Sequence, residues 1–309
     1  MGDLFSLAAV FVMLFFLGMS ILRVGLYHLS YNKIKYILTT MTKNHYTGII
    51  TGFVATAFLQ SSSLVLVLTI GFVSVGMLSF KQTLGIILGA NIGTTITGEL
   101  MAFSNIIPEW SFVVIGAFLI FINNRFIFGI GAIFVGLGSI FVALQGFESL
   151  AESINQLPIV QESLAISDHF ALFGILVGTL VSAVIQSSSA TIAITMSFLH
   201  EGIIELKASI AIVLGANIGT CITALLAIIG LKKEEKLVAM SHVWFNVLGV
   251  LLFMPFLGWL TDLASLLATD AKQQLAHISV VFNLLTVVCM LPFIGMFEKF
   301  IVRMHGSKQ

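Results

Sequence analysis

Charge is what this sequence has least of. Asp, Glu, Lys and Arg make up 9% of its 309 residues, while 58% are hydrophobic. A soluble domain carries roughly 25% charged residues. So little charge cannot cover a water-facing surface, which excludes a soluble enzyme or a solvated binding module. Proline is sparse as well, with four residues, and no low-complexity run occurs. No soluble appendage is expected. The two cysteines, Cys221 and Cys289, lie in apolar segments, so no disulfide framework is suggested. The chain start carries Asp3 rather than a basic region, and no small-residue cleavage site follows, so no cleaved leader is expected. Net charge is zero and by itself says nothing about partners; no nucleic-acid partner is expected.

What the chain does have, it has twice. Gln60-Ser61-Ser62-Ser63 leads to Gly89-Ala90-Asn91-Ile92-Gly93-Thr94, and Gln186-Ser187-Ser188-Ser189 leads to Gly215-Ala216-Asn217-Ile218-Gly219-Thr220. The offset is 126 residues at both landmarks. It also holds at Gly48/Gly174, Gly52/Gly178, Thr69/Thr195, Gly76/Gly202, Lys81/Lys207 and Thr97/Thr223.

Apolar runs then define the organisation. A spanning helix needs ~20 apolar residues. Residues 4–22 satisfy that length and are followed by a polar, basic stretch at 23–45. The apolar block at 46–78 is too long for one span and too short for two. Its middle is cut by the first serine triplet. It therefore reads as a re-entrant hairpin, two half-depth helices meeting at the serines. Such broken backbone is tolerated at membrane depth only where it is buried in protein or lines a wet cavity. A span at 82–102 follows, interrupted by Gly-Ala-Asn-Ile-Gly, then spans at 105–122 and 126–147. Residues 148–168 read as an acidic loop. The pattern repeats with a hairpin at 170–204 and an interrupted span at 208–229. Spans at 237–260 and 277–297 close the chain. These two resemble each other at an offset of 37, through Phe245-Asn246 and Phe282-Asn283, Pro255 and Pro292, Gly258 and Gly295.

Three spans separate the hairpins, and an odd number inverts the second copy. Cationic residues support that arrangement. With the 23–45 stretch cytoplasmic, twelve Lys and Arg residues fall on the cytoplasmic side and only Lys207 and Lys272 on the other, as the positive-inside rule requires. The expected architecture is an all-α polytopic membrane protein of the cytoplasmic membrane, N-terminus outside and C-terminus cytoplasmic. Inverted repeats with two re-entrant helical hairpins and broken transmembrane helices are the expected form, which is the architecture of secondary transporters. The first repeat covers 1–125 and the second 126–309.

The chemistry follows from the polar clusters. Each hairpin's second leg starts at the serines, where a helix presents free N–H groups and the positive end of its dipole, and Ser is a good N-cap. Two such ends would make an anion site, formed by Gln60, Ser61, Ser62, Ser63, Gln186, Ser187, Ser188 and Ser189. The Asn91 and Asn217 segments are expected to unwind and offer carbonyl, amide and hydroxyl oxygens to a small cation. No Lys, Arg or paired carboxylate is expected near the midplane, where a charge costs ~2.5–3.5 kcal/mol on insertion scales. A neutral anion site favours co-bound cations. An intramembrane serine hydrolase is the competing class, but no Gly-x-Ser-x-Gly elbow occurs and no general base is identified beside either triplet.

The doubled Gln-Ser-Ser-Ser, each followed by Gly-Ala-Asn-Ile-Gly-Thr, resembles the type II sodium–phosphate cotransporters and their bacterial relatives. The resemblance runs from Phe16-Leu17-Gly18-Met19 to about Phe297. It implies inorganic phosphate between the hairpin tips, held by the eight residues above with Asn91 and Asn217. It implies Na⁺ as coupling ion, with Thr94, Thr97, Thr220, Thr223, Gln186 and Ser187 as its ligands, and no organic cofactor. Membrane lipid surrounds such a chain, and a homodimer stays open. One departure matters. The His-Asp-Cys-Phe-Asn stretch that animal members carry after the first motif pair is missing. Only His242-Val243-Trp244-Phe245-Asn246 is similar, and it follows the second pair. Sodium stoichiometry therefore does not carry over. The resemblance equally leaves open phosphate export, or a sulfate or carboxylate substrate.

Overall fold

The computed structural model describes residues 2–104, 108–230 and 233–306, and every regular element among them is helical. Helix α1 spans Gly2–Thr40. Helix α2 (His45–Leu59) starts at a capping box, in which Asn44 Oδ1 accepts from the Thr47 amide. Helix α3 (Ser62–Ser74) forms the second leg of the first hairpin. Then come α4 (Phe80–Ala102), α5 (Glu109–Ile120) and α6 (Arg125–Asn155). Helix α7 (Pro158–His169) begins on Pro158, which needs no intrahelical donor. The second hairpin is α8 (Ala171–Ile185) and α9 (Ser188–His200), followed by α10 (Leu206–Gly219) and α11 (Cys221–Ala227).

The chain ends in two kinked rods. Helices α12 (Lys233–Phe253) and α13 (Leu257–Leu267) join through a 3₁₀ turn at Met254–Phe256. Helices α14 (Ala271–Met290) and α15 (Ile294–His305) join through another at Leu291–Phe293. Pro255 and Pro292 sit in these turns and withhold a backbone donor, which explains both kinks. The offset of 37 thus has a structural counterpart.

Among the described residues, six helical stretches are long and apolar enough to cross a membrane: Leu4–Leu29, α4, α6, Leu206–Ala227, Lys233–Leu267 and Ala271–His305. The hairpin legs are not. They have 15 and 13 residues in each copy, roughly 20–22 Å of helix against ~30 Å of hydrocarbon. Helix α5 has 12 residues. The expected span at 105–122 begins at 105–107, outside the described residues, and Pro108 stands at the N-cap of the helix.

Several sequence expectations change. The polar stretch expected after residue 22 continues α1 as one helix, so Arg23 lies inside an apolar helical run rather than in a loop. The acidic loop expected at 148–168 is mostly helix, shared between α6 and α7. The expected unwinding at Asn91 does not occur, because α4 is continuous from Phe80 to Ala102. In the second copy the interruption is one residue, Thr220, which keeps right-handed angles. The glycines serve packing instead. A Cβ on Gly52 would lie 2.2 Å from the Ile86 carbonyl oxygen, and one on Gly89 would lie 1.9 Å from that of Ile49. The second copy repeats both contacts at the same offset, with Gly178 2.0 Å from the Ile212 oxygen and Gly215 2.0 Å from that of Ile175. Between helices in lipid, close packing of small residues replaces water exclusion as the cohesive term.

The same contacts give directions. Residues 48, 52 and 56 of α2 meet 85, 86 and 93 of α4, so these helices run parallel. Residues 174, 178 and 182 of α8 meet 211, 212 and 219 of α10, again in parallel. Helices α1 and α6 run antiparallel, with Gly18 against Gly136 and Gly25 against Gly129. Each hairpin has its own apolar core. Leu59, Val65, Leu66 and Ile70 pack with Leu84, Ile87 and Phe297 in one, and Ala193, Met196 and Val213 pack with Phe141, Leu260 and Phe282 in the other. Gln60, Ser62, Ser188 and Ser189 of the two tips are buried, whereas Gln186 is exposed.

Candidate functional site

The tips are built alike. Gln60 and Gln186 terminate α2 and α8 in the left-handed conformation, at φ 49° and 56°. They are the only non-glycine residues with positive φ among the described residues. A side chain held there costs on the order of 1–3 kcal/mol, so the turn is imposed by its surroundings. Ser61 and Ser187 are extended and cap the following legs, their hydroxyls accepting from the Leu64 and Ala190 amides at 3.2 Å. The first-turn amides of α3 and α9 have no partner inside their own helices. Apart from the Leu64 and Ala190 amides taken by the caps, those ends are available to an anion.

Both tips open into one cavity of about 150 Å³. It is lined by Phe16, Arg23, Thr94 and Thr220 together with Gln60, Ser61, Ser62, Ser63, Gln186, Ser187, Ser188 and Ser189. Phe16 is the one apolar member. The volume falls below the ~300–1,000 Å³ typical of sites for drug-sized ligands, which leaves room only for a ligand of few heavy atoms. A larger groove of about 950 Å³ lies between α12 and the α14–α15 rod, but Thr286 and Cys289 supply its only side-chain polar atoms. It offers an anion nothing.

The sequence-predicted residues divide at this cavity. All eight tip residues line it, with Thr94 and Thr220. Thr97 does not line it but donates to Gln60 Oε1 at 2.9 Å. Thr223 donates to the Thr220 carbonyl at 2.7 Å and lies 3.0 Å from the Ser63 hydroxyl, joining the second copy to the first tip. Asn91 and Asn217 are buried and bond back to their own helices, at the carbonyls of Ile87 and Val213. Neither is among the lining residues.

Arg23 was missed. Its Nη2 donates to the Gln60 carbonyl at 3.2 Å, and its buried Nε has no hydrogen-bond partner. It is the one ionisable residue in the lining. The expectation of a charge-free site is therefore overturned. The signal was present in the sequence, since Val24, Gly25 and Leu26 continue the apolar run beyond Arg23.

Two ion pairs among the described residues lie away from the cavity. Buried Lys272 on α14 pairs with Glu148 on α6 and donates to the Ser104 hydroxyl at 3.2 Å. It is therefore an internal cation, not a loop residue. Glu99 on α4 and His277 on α14 meet at 2.9 Å.

Comparison with known proteins fits this geometry. The profile of the Na+/Pi-cotransporter family matches residues 14–149 and 158–296, one motif pair in each stretch. The chain is 40% identical over 273 residues to "Uncharacterized protein YqeW" of Bacillus subtilis (strain 168), covering 88% of this chain and 89% of that one. It is 26% identical to "Putative inorganic phosphate export protein YjbB" of Escherichia coli (strain K12), covering 86% of this chain and 49% of that protein. Over 90 residues it is 37% identical to the human sodium-dependent phosphate transport protein 2B, covering 27% of this chain and 13% of that protein. No solved structure matches. With nearly its whole length matched and both motif pairs included, the chain belongs to the Na+/Pi-cotransporter family, a family of multi-pass membrane transporters.

Proposed function

We propose that the protein is a sodium-coupled transporter of inorganic phosphate that works by alternating access, with the anion held between the two hairpin tips. The observation that carries this reading is the convergence of both Gln-Ser-Ser-Ser tips on one small polar cavity. Two helix N-termini, six serine side chains and two glutamine amides there supply donors to a tetrahedral oxyanion.

The hairpins are read as re-entrant. Their legs are too short to span, and each first leg runs parallel to the span that follows, as a chain entering, returning and re-entering from one face would. The repeats are read as inverted, divided at 125/126, because α1 and α6 precede the hairpins and run antiparallel. Removing Arg23 and Lys272 from the charge count leaves eleven cationic residues against Lys207 alone. That favours a cytoplasmic C-terminus. Sodium is assigned to Thr94, Thr97, Thr220, Thr223, Gln186 and Ser187. Thr94 and Thr220, Gln186 and Ser187 line the cavity, and the other two touch tip residues.

The test is radiolabelled phosphate uptake into proteoliposomes. An inward Na⁺ gradient should drive accumulation above equilibration. Uptake indifferent to Na⁺ would overturn the coupling. Phosphate export is a second reading, favoured by the printed name of the E. coli relative. Inside-out and right-side-out vesicles under the same gradient separate the two directions.

A further inference from the structure

We propose that Arg23 is the anion-selecting group of the cavity, the fixed positive charge that makes the site prefer oxyanions. This deepens the function proposed above and rests on its placement of the anion between the tips. Arg23 lines the cavity with the Gln-Ser-Ser-Ser residues. Among the described residues no carboxylate forms an ion pair with it, and none lines the cavity. A cation inside an apolar helix is ordinarily paired or marks an ion pathway. Among the described residues its hydrogen-bond partner is the Gln60 carbonyl, which takes one of the five guanidinium donors.

That single bond gives the guanidinium a defined place. It ties α1 to the turn residue that leads into α3. Nε stays buried without a partner. A guanidinium presents its N–H groups in a planar fork that matches the edge of a phosphate-like oxyanion. An oxyanion between the tips would take hydrogen bonds from this fork and from the first-turn amides of α3 and α9. One of its negative charges would then be offset by the protein itself. The coupling cations offset only the remainder, so Arg23 bears on how much Na⁺ the anion requires.

The second copy supplies no matching charge. Position 149, at the 126-residue offset from Arg23, is Ser149, whose hydroxyl bonds the Gly146 carbonyl. The cavity is therefore electrostatically one-sided, with its positive charge on the side of the first tip.

The test uses the full chain in nanodiscs, with Arg23→Gln and Arg23→Lys. Inorganic phosphate and sulfate are titrated calorimetrically at fixed Na⁺, Na⁺ binding is measured without anion, and Tm is recorded. Arg23→Gln should weaken phosphate binding roughly ten- to hundred-fold, the loss of one charge-assisted hydrogen bond. Arg23→Lys should recover part of it. Na⁺ binding without anion and Tm should be unchanged, while the Na⁺ concentration needed for half-maximal phosphate binding should rise. Wild-type phosphate affinity in folded Arg23→Gln would overturn the proposal. So would an equal loss of Na⁺ binding together with a lowered Tm, because Arg23 would then only brace the Gln60 turn. Wild-type protein that binds sulfate and ignores phosphate, with sulfate binding lost in Arg23→Gln, would sink the phosphate assignment and uphold Arg23. Wild-type protein that binds neither anion overturns both.

Discussion

The two hairpin tips share four identical residues and the same backbone turn, yet one is tied and the other is open. Gln60 is 3% exposed, whereas Gln186 is exposed. The Gln60 side chain accepts from Thr97 and donates to the Ala57 carbonyl, and Arg23 holds its backbone oxygen. One helical turn earlier the order reverses. Ser182 donates to the Ala216 carbonyl and meets the Thr220 hydroxyl at 3.1 Å. Its counterpart Thr56 is fully buried and its hydroxyl has no partner. The motif therefore sets the turn, and its neighbours set how far each tip is engaged. On the proposed reading, two copies in different engagement have the asymmetry that alternating access requires.

The two copies share their glycine packing, and the largest effects are expected there. Gly89→Val and Gly215→Val each drive a side chain into a carbonyl at about 2 Å. Both should cost more than ~4 kcal/mol, the range of severe overpacking, and should abolish a monodisperse peak in size-exclusion chromatography. If one variant folds normally, the two copies do not share their packing.

The tips themselves should then separate. Gln60→Ala removes buried hydrogen bonds and should destabilise by roughly 1–3 kcal/mol, lowering Tm. Gln186→Ala removes an exposed amide and should leave Tm unchanged. Equal shifts in Tm would contradict a tied and an open tip. A smaller contrast lies one turn back. Ser182→Ala should cost about 1 kcal/mol, while Thr56→Val removes a hydroxyl without a partner and should be neutral or slightly stabilising. Denaturant or thermal unfolding in detergent reads both. Smallest of all, Asn91→Ala and Asn217→Ala should barely change phosphate affinity in calorimetry, because both amides are taken up by their own helices.

The break of each apolar block into two short helices at the serines was legible because two signals agreed. The apolar blocks had the wrong length for spans, and serines capped the second legs where the blocks were cut. The left-handed glutamines were not legible, since nothing in a Gln marks positive φ. The glycine segments misled for a physical reason. Gly85, Gly89 and Gly93 recur every four residues, which places them on one helix face against α2. That period signals close packing rather than unwinding. Arg23 was misplaced because it opens a stretch that also holds Lys33, Lys35 and Lys43, and the composition of the whole stretch outweighed its own apolar neighbours. The 126-residue offset carried over best, reappearing in glycine–carbonyl contacts that no motif search would list.

The central claim is that two tips make one anion site. Equilibrium phosphate binding at saturating Na⁺ tests it most directly, by stoichiometry. One phosphate per chain is expected, with that same site weakened by Gln60→Ala and by Gln186→Ala. Two phosphates per chain, or full-affinity binding that survives either substitution, would contradict it.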